Sequence, residues 1–294
     1  MLFEPSFGRE VALRDTRIRE DDAERERVLN SGDARFFFVS GPSVAVNGTG
    51  VELVFATSAP AGKPVYIGSD KGLHFFAIDV HGRTDGFSEL NFADIRFTGM
   101  DFSARDIGLA LAAVALFEWT HAARFCETCG GDLKSSASGW ERVCDNNHVV
   151  FPRTDPAVIM AIRDPQDRLL IARNPRWPAG YYSVLAGFCE AGETVEAALR
   201  RETAEEIGAN VVRCEYRGSQ PWPFPRSLML GYAGWVDDSE IVIGDEEVQD
   251  AFYITRADFR ERVMSGDVKL PGPASMAYWL MQDWLGSPLE DLYA

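Results

Sequence analysis

Residues 187–208 read Gly-Phe-Cys-Glu-Ala-Gly-Glu-Thr-Val-Glu-Ala-Ala-Leu-Arg-Arg-Glu-Thr-Ala-Glu-Glu-Ile-Gly, and this stretch constrains the chain more than any other. A glycine-bearing loop runs into a segment with helical spacing. Val195, Ala198 and Leu199 give that segment an apolar packing face, and Gly208 stands where a helix-ending residue is expected. At about 3.6 residues per turn, positions three and four apart share a face. Glu202, Glu205 and Glu206 are therefore expected to converge. Clustered carboxylates repel one another unless something positive sits among them. A hard cation relieves the repulsion, and Mg²⁺ characteristically takes a few carboxylates, several waters and phosphate oxygens. Arg201 is placed to bridge to one of these glutamates and orient it. By composition alone the same run reads as a solvated acidic helix; the preceding loop favours the metal-binding reading.

Two further constellations stand out. Ser219-Gln-Pro-Trp-Pro-Phe-Pro-Arg-Ser227 packs three prolines around Trp222 and Phe224. It is expected to be a stiff, extended segment, shaped before any ligand arrives. Gln220 can donate and accept hydrogen bonds, and the aromatic rings can stack on a base or wall a cleft. A structural loop, or a ligand for a proline-recognising domain, is the plainer alternative. Upstream, Cys126-Glu-Thr-Cys129 is followed by Cys144-Asp-Asn-Asn-His148, a spacing that reads as a zinc ribbon. His148 is the candidate fourth ligand of a Cys₃His site; the alternative is a degenerate ribbon without metal. Cys189 and Cys214 are remote from this cluster and read as small buried residues.

The 187–208 segment resembles the Nudix box: Gly, five residues, Glu, seven residues, Arg-Glu, an aliphatic, any residue, Glu-Glu, any residue, Gly, an aliphatic. Every charged and glycine position matches, while Thr203 and Ala209 replace bulkier aliphatics. The 219–227 run resembles the signature of the NADH pyrophosphatase subfamily. That resemblance implies an α+β protein. A C-terminal Nudix α/β/α sandwich with a mixed sheet would span residues 153–294, a zinc ribbon 121–152, and an N-terminal Nudix-like α/β domain 1–120. It implies hydrolysis of the diphosphate bridge in NADH or NAD⁺ to AMP and the nicotinamide mononucleotide. Mg²⁺ or Mn²⁺ would be held by Glu202, Glu205, Glu206 and Glu247, with adjacent Glu246 leaving the last assignment open by one position. Glu193 and Arg201 would support and orient. Phe188 and Phe151 match aromatics that sandwich or flank the adenine, and Ala277 a backbone contact near the closing helix. The subfamily also includes enzymes that remove NAD caps from RNA 5′ ends, and the resemblance points to a homodimer. It further predicts a second Cys-x-x-Cys pair in the ribbon, but Asn147 stands where its last cysteine is expected. The alternatives are a broader diphosphatase acting on ADP-ribose or other dinucleotides, and a catalytically inactive zinc-ribbon regulator that binds nucleic acid.

The 294 residues allow about two domains. The formal net charge of −16 disfavours broad attraction to nucleic-acid backbones or anionic membranes, without excluding one nucleotide or an RNA end. Five cysteines, three of them assigned to metal, fit a reducing cytoplasm better than a disulfide framework. The start Met-Leu-Phe-Glu-Pro-Ser lacks a secretory pattern, and no segment reaches the length needed to span a bilayer. Strands are expected at 36–39, 51–55, 64–67 and 74–80, then a helix at 106–117. Paired strands at 157–162 and 168–173 flank a turn at Asp164–Asp167. A strand at 228–235 and a helix at 274–284 complete the pattern.

Overall fold

The computed structural model describes residue 7 and residues 12–58, 62–83, 86–238, 240–244 and 246–293. The first six residues, read above for a secretory signal, lie outside the described set. The chain divides into two units, one holding Asp155–Gln220 and Leu228–Ala294, the other Ser6–Thr154 and Pro221–Ser227.

The N-terminal unit begins with two short helices, α1 (Thr16–Glu20) and α2 (Asp22–Leu29). A mixed sheet follows, built from β1 (Ala34–Ser40), β2 (Ser43–Val46), β3 (Val65–Asp70), β4 (Leu73–Asp79) and β5 (Asn91–Asp94) in the order β3-β4-β1-β2-β5. β1 and β4 run parallel, whereas β1–β2, β2–β5 and β3–β4 are antiparallel. Side chains alternate faces along a strand. Phe36 and Phe38 therefore join Tyr66, Phe76, Ile18 and Val28 in one core cluster. A short helix α3 (Ile95–Thr98) precedes α4 (Ala104–Ala122), which packs against β1, β3 and β4. The expected strand at 51–55 does not form. Leu53 and Ala56 make only isolated bridges to Val46 and Phe36. The apolar run is used for packing, with Phe55 set against Phe37 and Phe75. The three short strands β6 (Lys134–Ser136), β7 (Glu141–Val143) and β8 (Val149–Val150) form the ribbon's antiparallel sheet.

The C-terminal unit is a three-layer sandwich. Its strands are β9 (Asp155–Arg163), β10 (Leu169–Arg173), β11 (Leu185–Phe188), β12 (Val211–Trp222), β13 (Ser227–Val236) and β14 (Asp250–Ile254). They are ordered β12-β13-β9-β10-β14, with β11 pairing β9 off that path. The helices are α5 (Val195–Ile207), α6 (Arg256–Met264) and α7 (Met276–Leu285). β9 shows why there are three layers. Val158, Met160 and Ile162 pack with Ala198, Leu199 and Ile207 of α5. Ile159 and Ala161 pack with Phe259 of α6 and Leu280 and Trp284 of α7. A strand buried on both faces reads as a continuous apolar run, as β9 does. The fold is thus α+β with the expected sandwich. Among the described residues no helix is long and apolar enough to cross a membrane.

The Pro-aromatic run departs from expectation. It is not an extended rod: β12 carries on to Trp222, residues 223–226 turn, and β13 begins at Ser227. Prolines suit that turn because it asks for few backbone donors. The Phe224–Pro225 bond is cis.

Candidate catalytic and metal-binding sites

Helix α5 is defined at both ends. The Thr194 side chain accepts a hydrogen bond from the Ala197 N–H, and Gly208 closes the helix at φ 71°. Its last carbonyls are used again: Val242 N donates to Ile207 O (2.9 Å) and Gly244 N to Glu206 O (3.2 Å). A Cβ on Gly244 would stand 2.0 Å from Glu205 O, so the chain passes where a side chain has no room. Thr203, the polar departure from the box pattern, is buried with its hydroxyl donating to Leu199 O at 2.7 Å. The i−4 carbonyl thus satisfies what an aliphatic would not need.

Arg201 ties the loop to the helix. Its Nε and Nη2 donate to both oxygens of Glu193 (3.0 and 2.9 Å), Nη2 also to Phe188 O (2.9 Å), and Nη1 to Glu202 (2.8 Å) and Glu205 (3.0 Å). Glu193 first, then Glu202 and Glu205, raise the arginine's pKa above its ordinary value. Arg201 in turn holds the Glu193 carboxyl below the usual carboxylate range. Glu202 goes the other way. Burial pushes its pKa up against the pull of Arg201, with the charges of Glu205 and Glu247 adding to the rise.

The three box glutamates do not gather at one point. Glu202 and Glu205 share Arg201, while Glu206, only 6 % exposed, lines a cavity of ≈ 200 Å³ with Glu247 and Ala277. Among the described residues the only group of three or more metal-ligand side chains within 4.8 Å of one another lies in the ribbon. The reason is electrostatic: the guanidinium already supplies the positive charge for two of the carboxylates. The residues nonetheless fit a divalent cation. Buried Glu206 lines the same cavity as Glu247, and burial raises the Glu202 pKa, with the charges of Glu205 and Glu247 adding to the rise. The Glu202 carboxylate is also cradled, for a Cβ on Gly187 would lie 2.0 Å from its Cδ. Gly187→Ala is accordingly expected to displace Glu202 and lower turnover at least about tenfold, with thermal stability nearly kept. A fully active variant in steady-state assays would remove Glu202 from the reaction.

The other expected contacts divide between the units. Phe188 (59 % exposed) and Ala277 lie in the C-terminal unit, and Phe151 (61 % exposed) in the N-terminal one. Gln220 is fully buried, its amide donating to Ala274 O at 2.7 Å, so it braces β12 against the segment leading to α7. Trp222 and Phe224 meet edge to face at 5.0 Å, Phe7 stacks on Trp222, and Arg96 lies over Phe224. The sequence reading missed Arg173, Asn174, Trp177, Ser183 and Ser275, which also line the cavity. The one available signal was Trp177, an aromatic in the Pro-flanked loop Asn174-Pro-Arg-Trp-Pro178.

In the ribbon, Cys126, Cys129, Cys144 and His148 hold all their ligand atoms within 4.8 Å of one another. A tetrahedral ion with metal–sulfur and metal–nitrogen distances of about 2.3 and about 2.0 Å spaces its ligands by roughly 3.5–3.8 Å. The Cys129 and Cys144 sulfurs are 3.7 Å apart, and the Cys126 sulfur is 3.5 Å from His148 Nδ1. The Gly131 N–H above all, then the Asn146 side chain and His148, hold the Cys129 thiol down to about 6, which favours the ligating thiolate. Asn147 sits at φ 61°, a left-handed turn that asparagine tolerates, and the ligand comes from the next residue.

The chain is similar to known proteins in sequence. Residues 153–270 match the NUDIX domain, and residues 22–119 match the NADH pyrophosphatase-like rudimentary NUDIX domain. An NAD-capped RNA hydrolase NudC from Mycobacterium bovis is 40% identical over 201 residues, which is 65% of this chain and 64% of the relative. An NAD-capped RNA hydrolase NUDT12 from Macaca fascicularis is 33% identical over 199 residues, 63% of this chain and 43% of the relative. The match therefore spans less than two thirds of either relative's length. Among solved structures, a NUDIX hydrolase from Nitrosomonas europaea aligns at TM-score 0.41 and 19% identity, covering 56% of this chain and 94% of that one.

Proposed function

The chain belongs to the Nudix family through residues 153–270, and we propose that it hydrolyses the diphosphate bridge of NADH or NAD⁺ to AMP and the nicotinamide mononucleotide. The observation that carries this reading is the ≈ 200 Å³ cavity lined by buried Glu206 of the box helix and by Glu247. The match of residues 22–119 and the Ser219–Ser227 run favour a nicotinamide dinucleotide over other diphosphates. The names of the relatives support an NAD-capped RNA 5′ end as a further substrate.

Glu202, Glu205, Glu206 and Glu247 would hold Mg²⁺ or Mn²⁺, an ion that when bound neutralises diphosphate charge and makes water a better nucleophile. Arg201 fixes Glu202 and Glu205 and locks the Gly187–Glu193 loop onto α5. Glu247 completes the site or takes the proton of the attacking water. Water oxygen bonds to one phosphorus, and the bridging oxygen leaves with the other. Phe188 offers an exposed ring on which the adenine can stack.

Cys126, Cys129, Cys144 and His148 would hold a structural Zn²⁺. The catalytic domain would span residues 153–294, the ribbon 121–152 and the N-terminal domain 1–120. Resemblance supports a homodimer, and the free thiols support a reducing cytoplasm.

Purified protein given NADH, ADP-ribose and NAD-capped RNA with Mg²⁺ or Mn²⁺ tests the reading. NADH and the capped RNA are each expected to show kcat/KM at least about tenfold above ADP-ribose. ADP-ribose turned over as well as NADH would replace the reading by a broader diphosphatase. No turnover of any of them would replace it by a binding protein.

A further inference from the structure

The catalytic cavity contains a cation that neither the box nor the Pro-aromatic run announces. Arg173 ends β10, and its backbone is fixed on two sides. It is the cross-strand partner of Asp250 in β14, and its carbonyl accepts the Gln249 N–H at 2.8 Å. That second bond draws in the chain just after Glu247, so Arg173, Glu206 and Glu247 line the same cavity.

The side chain is half-buried, yet among the described residues it makes no hydrogen bond and no ion pair within 4.0 Å. Its nearest carboxylate by register is engaged elsewhere: Asp250 accepts the Tyr182 hydroxyl at 2.5 Å. Arg163, Arg168, Arg201, Arg217 and Arg256 of the same unit each have an acidic partner. A half-buried guanidinium with no carboxylate within 4.0 Å is placed to pair with an anion that enters the cavity. The loop after it is ordered, with Asn174 Oδ1 accepting Arg176 N (3.0 Å) and Trp177 N donating to Asn174 O (3.0 Å). Trp177 stands edge-on to Tyr181 at the cavity, reducing the water around any anion that enters.

We propose that Arg173 is a substrate-binding residue whose guanidinium takes a phosphate of the nucleotide within the Glu206–Glu247 cavity. The proposal rests on the cavity being the nucleotide site, as argued above. Arginine's planar fork matches two phosphate oxygens, a geometry lysine lacks. The glutamates are acceptors and need a cation between themselves and a phosphate, whereas Arg173 meets the phosphate directly.

The test compares AMP with adenosine as probes, in Mg²⁺, on the full chain and its R173A and R173K variants. R173A is expected to weaken AMP at least about tenfold while adenosine changes less than about twofold, with R173K in between. Unchanged AMP affinity in R173A would overturn the assignment. So would an equal loss for adenosine, which marks a change of shape rather than a lost phosphate contact, or a wild-type protein that binds both probes alike. If R173A melts early, R173K and R173Q carry the same comparison. NADH turnover is scored separately. A protein that fails to cleave NADH, yet loses AMP selectively in R173A, keeps this site and refutes the reaction.

Discussion

Replacing Glu206 by Gln is expected to cut turnover of NADH by roughly two or more powers of ten while leaving the fold intact. The amide keeps the volume of a residue 6 % exposed, so the sandwich around α5 has little reason to repack. What disappears is one negative charge facing the cavity shared with Glu247. Charge in a water-poor site acts far more strongly than at a surface, which is why one formal charge is worth orders of magnitude in rate. Glu205 makes the useful contrast. Its side chain is 54% exposed and held by Arg201, so Glu205→Gln should cost less than Glu206→Gln. Steady-state kinetics on both variants, with melting curves as the control, decide the matter. Full turnover in Glu206→Gln would end the assignment.

Cys144→Ser should release the ribbon's metal and lower the unfolding temperature of the unit by at least about 5 °C. The ribbon has little else of its own to order it. Its apolar cluster is Cys126, Leu133 and Cys144 with Ala123 and Val150 against them, and two of those buried residues are themselves ligands. Ordering some thirty residues costs far more than so few apolar contacts return. Further support comes from within the unit, through Trp140 donating to Tyr66 O and stacking under Arg19, but those contacts presuppose an ordered ribbon. The expected measurements are close to one zinc per wild-type chain and close to none in the variant. A wild-type preparation free of zinc and as stable as one with zinc added would leave the ribbon degenerate. His148→Ala tests the candidate fourth ligand separately, since it leaves three thiols.

Much of the fold was legible because burial writes itself as period. β9 and β10 are nearly continuous apolar runs, as strands covered on both faces must be, and both were found. Helices α4, α5 and α7 showed through their apolar faces and ends. The strand expected at 51–55 failed because apolar residues show that a segment is buried, not that it is paired. Strand β12 was unread for the opposite reason, its exposed Val212 and Tyr216 interrupting any regular alternation. The Cys126, Cys129, Cys144 and His148 cluster was legible because residue type and spacing are what a tetrahedral ion selects.

For the candidate catalytic site the sequence determined which carboxylates are present and that three of them ride on one helix behind a loop. Only the tertiary structure decided how they are shared out. Arg201 claims Glu202 and Glu205, Glu206 faces inward to Glu247 from a distant loop, and Arg173 arrives through the pairing of β10 with β14. Helical period fixes neighbours three and four residues apart. It says nothing of what a sheet some forty or seventy residues away will set opposite them, because that depends on which strands find each other's edges.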